Sequence, residues 1–126
     1  MKVKNVKELE YFTAVDKSEI TELYGVPTEG MPEVSLAYAV VHVGNKTDEH
    51  YHNFFESYTI AKGKGIMYVD EEKKEIVKGD TILIPAKKNH WIENTAEEDL
   101  EFYCVCVPAF TPEETVMKQR VEQKNE

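Results

Sequence analysis

Beyond residue 33 the chain is a succession of short apolar-rich runs broken by turn chemistry. VSLAYAVVHV (34–43), FESYTIA (55–61), GIMYV (65–69), KEIV (74–77), DTILIP (80–85) and LEFYCVCV (100–107) are rich in β-branched and aromatic residues, and none carries a helical period. Between them lie KGKG, DEEKK, KGD and ENTAEED, which are turn-forming stretches. Many short strands separated by turns predict an all-β sandwich or closed barrel. Residues 1–15 read as an extended lead-in. DKSEITELYG (16–25) predicts one short helix, with Asp16 and Glu19 as a capping box and Gly25 as the terminating glycine. A second helix is expected over about 111–122, started by Thr111, Pro112, Glu113 and Glu114. There is no internal repeat or linker, so residues 1–126 are expected to form a single domain with a barrel core of about 32–107.

Composition narrows the class. Of 126 residues, 41% are apolar and 31% charged, which is globular and too apolar for a disordered chain. The net charge of −9 comes with no basic stripe, so nucleic acid is not an expected partner. MKVKNVKELEYF lacks the apolar segment of a signal peptide, and no run reaches the ~18–20 apolar residues that span a bilayer. The two cysteines, Cys104 and Cys106, are too close in sequence to pair readily. A reducing, cytoplasmic setting is expected.

Candidate chemistry concentrates in GNKTDEHYHNFFESYTIAKG (44–63). In an extended segment, positions two apart share a face at roughly 6.5–7 Å, so His50 and His52 can converge on one ion. Glu56 has the same parity, and a bend near Asn53 would turn its carboxylate inward. A further ligand must come from elsewhere, and His90 is the candidate, provided the fold wraps back as a barrel does. The competing reading is a solvated turn that happens to contain histidine.

Two longer patterns bear on that choice. Gly44-x5-His50-x-His52-x3-Glu56-x6-Gly63 resembles the first conserved motif of the cupin superfamily. Gly79-x5-Pro85-x-Lys87-x2-His90-x3-Asn94 resembles the second, except that Lys87 stands where glycine is usual. The resemblance covers residues 44–94. It implies a conical double-stranded β-helix barrel of two antiparallel sheets, with His50, His52, Glu56 and His90 as metal ligands. It also implies a small-molecule ligand and homodimerisation. Three imidazoles and a carboxylate on a six-coordinate ion leave two open positions. That donor set favours Fe(II) or Mn(II), with Ni(II) or Zn(II) as the other candidates. Such a site suits a metalloenzyme acting on a small oxygen-rich molecule: a dioxygenase, a decarboxylase or lyase, or a sugar or sugar-phosphate isomerase. The alternative is a non-catalytic binding or sensing module with the same pocket.

Other residues are weighed against plain packing. Tyr58 shares the parity of Glu56 and is the candidate catalytic hydroxyl. Tyr51, Phe54, Phe55 and Ile60 are expected to be mostly core. His42, on a face with Leu36, Tyr38 and Val40, reads as a packed or pocket-wall histidine. Tyr38, His42 and Lys87 are the remaining acid–base candidates. Cys104 and Cys106 are expected to be buried as small hydrophobes, with one thiol able to approach the pocket if that face lines the barrel. Lys87 and Lys88 read as a solvated turn, or as a cationic pocket mouth. Trp91, of opposite parity to His90, is expected on the outer face.

Overall fold

The computed structural model describes residues 1–118. Eleven strands form two antiparallel sheets that face each other. One sheet contains β1 (Phe12–Thr13), β2 (Glu19–Tyr24), β3 (Ser35–Val41), β5 (Phe55–Lys62), β8 (Thr81–Ile84) and β10 (Leu100–Val107), in the order β1-β2-β3-β10-β5-β8. The other contains β4 (His50–His52), β6 (Lys64–Val69), β7 (Glu72–Val77), β9 (His90–Asn94) and β11 (Thr115–Met117), in the order β11-β4-β9-β6-β7. From β3 onward the chain passes back and forth between the sheets, with only the β6–β7 hairpin staying within one, which winds it into the expected double-stranded β-helix barrel.

The period of two decides what lies inside. On β10, Leu100, Phe102, Cys104 and Cys106 are buried, while the residues between them are more open. Glu56, Tyr58 and Ile60 do the same on β5, and His90, Ile92 and Asn94 on β9. Ile60, Ile84, Ile92, Leu100 and Phe102 are almost wholly removed from water and form the apolar centre of the barrel. Each contributes about 1.5–3 kcal/mol by burial.

Close strand crossing depends on two glycines. Gly63 turns β5 into β6 with φ +85°, and a Cβ there would lie 2.7 Å from the Asp99 carbonyl oxygen. A Cβ on Gly65 would run into the Glu93 carbonyl oxygen of the paired strand β9. Asn94 ties the same corner. Its side-chain amide donates to the Val41 and Glu98 carbonyls, both at 2.9 Å.

Two expected helices are strands instead. In DKSEITELYG, Asp16 caps a hairpin turn and not a helix: its carboxylate accepts from the Ser18 amide at 3.0 Å and hydroxyl at 2.7 Å. Residues 19–24 then pair with β3, burying Thr21 and Leu23. Ile20, Thr21 and Tyr24 favour strand, and an available sheet edge outweighs a capping signal. Gly25 begins a single helical turn, α1 (Val26–Glu29), and does not end a helix. At the other end, Pro112–Glu114 is one 3₁₀ turn that leads into β11, which pairs with β4. The remainder of the expected C-terminal helix, 119–122, lies outside the described residues. No helix among the described residues is long and apolar enough to cross a membrane.

Candidate metal centre

The register of both sheets assembles the cluster. His50 and His52 face inward from β4, and His50 lies directly opposite His90 on β9. At Asn53 and Phe54 the chain bends across to the other sheet, which delivers Glu56 from the facing side. Thr47 fixes the approach to β4. Its hydroxyl accepts from the Ile92 amide, and its own amide donates to the Ile92 carbonyl, both at 2.9 Å. The four ligand atoms of His50, His52, Glu56 and His90 all lie within 4.8 Å of one another, and every one of these residues is buried.

The hydrogen bonds prepare the imidazoles as ligands. His50 Nδ1 donates to the Asp48 carbonyl at 2.8 Å, and His90 Nδ1 donates to the Lys88 carbonyl at 2.9 Å. A carbonyl only accepts, so each Nδ1 carries the proton and each Nε2 presents a lone pair. His52 Nδ1 sits 2.9 Å from the Thr115 hydroxyl on β11. Glu56 Oε1 approaches His90 Nε2 at 3.1 Å and His52 Nε2 at 3.2 Å. Yet Glu56 Oε1 and His90 Nε2 have no hydrogen-bond partner. Two such orphaned buried atoms are rare and call for an unseen partner, and a cation among three nitrogens and one oxygen supplies it. The residues fit a divalent metal.

The electrostatics agree. Burial first, then the charge of His90, lowers the His50 pKa to about 4, which keeps its ring neutral. Burial opposes ionisation of Glu56, but the His52 and His90 rings outweigh it and hold the carboxyl well below its ordinary range. Burial likewise lowers the His90 pKa, and the adjacent Glu56 carboxylate reverses this to a net rise. Metal binding requires neutral imidazoles, so a divalent cation would hold the His90 ring in its neutral form.

The remaining candidates scatter. Tyr58 is buried, with its ring 6.0 Å from that of His90 and 4.4 Å from that of Phe102. Burial, then the Glu56 charge, pushes its hydroxyl pKa well above 10.0. His42 is neither packed nor on the pocket wall: it is exposed beyond the end of β3 and pairs with Asp99 at 3.1 Å. Tyr38 lies on the outer face of its sheet, donating to Glu101 at 2.7 Å, because the inner face of β3 is Ser35, Ala37, Ala39 and Val41. Lys87 is exposed in the left-handed region at φ 69°, and its amide donates to the His52 carbonyl at 2.7 Å. Lys88 pairs with Asp70 at the surface. Trp91 stacks on Tyr68 on the outer face, as its parity implied. Both cysteines face the cluster, and Cys104 Sγ reaches Glu56 Oε2 at 2.7 Å.

Phe110 and Thr115 escaped the sequence reading, and Phe54 was expected only as core. Phe54 stacks on His52 at 4.5 Å, and Phe110 meets that ring edge-on at 5.8 Å. Thr115 orients His52 from β11, which was expected to be helix. A cavity of about 1010 Å³ opens between the β7 and β8 edges, but none of the four ligand candidates lines it. The cluster therefore stands apart from the walls of that cavity.

Fold and site together define an antiparallel β-barrel protein with a buried three-histidine, one-glutamate cluster that could hold a metal ion. The cupin domain family matches residues 37–106, and the chain belongs to that family. An uncharacterized protein of Methanocaldococcus jannaschii is 46% identical over 82 residues, which is 64% of this chain and 66% of that protein, just under two thirds of its length. Among solved structures, the polyketide cyclase RemF from Streptomyces resistomycificus superposes with a TM-score of 0.81 at 16% identity, covering 95% of this chain and 87% of that one. A predicted oxalate decarboxylase from Thermotoga maritima does so with a TM-score of 0.74 at 24% identity, covering 85% and 99%. At these identities the structural likenesses establish the fold.

Proposed function

We propose that His50, His52, Glu56 and His90 hold one divalent transition-metal ion, with Fe(II) or Mn(II) favoured over Ni(II) or Zn(II). We further propose that the protein is a metalloenzyme acting on a small oxygen-rich molecule, in the dioxygenase, decarboxylase or lyase, or sugar (or sugar-phosphate) isomerase class. The observation that carries the reading is the convergence of four buried ligand atoms, two of them lacking any other partner. The fold-sharing protein named for oxalate supports an oxygen-rich substrate.

When bound, the ion supplies Lewis acidity and a template for oxygen ligands. The chain's own residues do the rest. The Asp48 and Lys88 carbonyls and the Thr115 hydroxyl aim the imidazoles. Phe54 and Phe110 shield the His52 side from water. Tyr58, whose hydroxyl keeps its proton near neutral pH, is the proposed hydrogen-bond donor to substrate.

One observation favours the alternative, a non-catalytic binding or sensing module. Two of the other acid–base candidates, His42 and Tyr38, lie outside the interior, and Tyr58 is a poor base at neutral pH. Oxygen consumption by the Fe(II) form across thiols, enediols and sugar acids tests the dioxygenase branch: uptake supports the enzyme, while a silent panel together with tight small-molecule binding favours the module. For the site itself, elemental analysis of protein purified without chelator is expected to find about one metal ion per chain. Substoichiometric metal, or content unchanged in His50→Ala and His90→Ala, overturns the reading. The chain is further proposed to be a single-domain cytoplasmic homodimer. Both cysteines are free and buried, which suits the reducing setting. Light scattering that finds a monomer at micromolar concentration would contradict the dimer.

A further inference from the structure

Glu56 presents its two oxygens to different surroundings. Oε1 faces the imidazoles of the opposite sheet, 3.1 Å from His90 and 3.2 Å from His52. Oε2 faces β10 in its own sheet, where Cys104 Sγ lies at 2.7 Å and Cys106 Sγ at 3.5 Å. The β5–β10 register fixes this arrangement, with Glu56 opposite Cys106 and Tyr58 opposite Cys104. Both thiols are buried and unpaired by any disulfide. A buried carboxylate needs partners on both oxygens, and on the β10 side the thiols provide them. An oxygen held by a donor is not free to swing onto a cation.

We propose that Cys104 is a positioning residue that engages Glu56 Oε2 and so restricts Glu56 to single-oxygen ligation through Oε1, keeping coordination positions open for a substrate. This rests on the proposed metal site and deepens it: Cys104 acts through Glu56 and is not itself a ligand. A thiol S–H can donate and a carboxylate oxygen only accepts, so at 2.7 Å Cys104 is the donor of the pair. At 3.5 Å, Cys106 is the weaker of the two partners.

Co(II) is the probe, since its absorption reports both coordination number and thiolate ligation. Affinity is measured by chelator competition on the full chain, and folding by circular dichroism. Cys104→Val, which keeps the bulk and removes the donor, is expected to weaken Co(II) binding about 10-fold or more and to shift the visible bands towards higher coordination. Cys104→Ser, which keeps a donor, is expected to restore the wild-type spectrum and most of the affinity. Cys104→Ala is a second donor-free variant should valine disturb the fold. If Cys104→Val or Cys104→Ala binds Co(II) with unchanged affinity and spectrum, the inference falls while the metal site stands. An intense near-ultraviolet thiolate-to-cobalt band in the wild type also overturns it, by making Cys104 a ligand. Wild-type protein that binds no Co(II) overturns the metal site and this inference with it.

Discussion

Each imidazole of the cluster is held at one nitrogen and offered at the other, and the strength of that hold is testable residue by residue. Thr115→Val removes the polar partner of His52 Nδ1 while preserving shape. The expected outcome is metal affinity lowered by about 10–100-fold, read by chelator competition, with the fold intact. Lys87 tests the opposite sign. Its φ of 69° is costly for a residue with a Cβ, and its side chain is exposed. Lys87→Gly is therefore expected to raise stability by roughly 0.5–1 kcal/mol in denaturant unfolding, relief of strain exceeding the added freedom of the unfolded chain. An unchanged or lower midpoint would show that the turn tolerates lysine at no cost. At this scale much of the site was legible. His50 and His52 share a parity that an extended segment converts into a common face, and Glu56 joins them because the chain bends at Asn53 and Phe54 to the facing sheet. His90 was legible as the histidine a wrapping barrel could return, and through the motif around it. Thr115 was not, because it meets His52 across 63 positions of sequence and no local signal marks it.

Among the elements, the strands whose alternation is strong were readable, and the two that depend on a neighbour were not. LEFYCVCV forms β10 over the expected residues because half of its side chains must be buried whichever sheet receives them. DKSEITELY carries an Asp–Glu spacing that also suits a helix start, and only the edge of β3 decides for strand. The three residues of β11 are likewise strand only because β4 lies alongside. The β6–β9 crossing is the element contact most sensitive to substitution, since a Cβ at Gly65 meets backbone that cannot rotate away. Gly65→Ala is expected to cost about 1–3 kcal/mol in thermal or denaturant unfolding. It should weaken metal binding too, because the displaced strand carries His90. A stable variant with normal metal affinity would mean the sheets part there without strain.

The molecule as a whole couples the site to pH. The His50 pKa falls from 6.5 to about 4, through burial and then the charge of His90. Between those values the unfolded chain binds the proton that the folded chain refuses. This contribution to stability is therefore present above about pH 6.5 and lost as pH falls towards 4. Glu56, lowered despite its burial by the His52 and His90 rings, acts in the same sense, its contribution lost at still lower pH. His90, whose burial is outweighed by Glu56, acts oppositely: its contribution is present below its unfolded pKa and fades as pH rises through the raised value. Metal-free protein is accordingly expected to melt at lower temperature as pH drops from about 6.5 to 4, and His50→Gln should flatten that slope. His90 titrates above this window, so a melting temperature that rises on acidification from about 6.5 to 4 would contradict the role given to His50.

Both sheets must meet at one cation for the account to hold, His50, His52 and His90 from one face and Glu56 from the other. X-ray absorption fine structure at the edge of the metal retained by the purified chain tests this most directly. The account predicts back-scattering from three imidazoles, reduced to two in His90→Ala. Spectra without imidazole scattering, or identical in the two proteins, would contradict it.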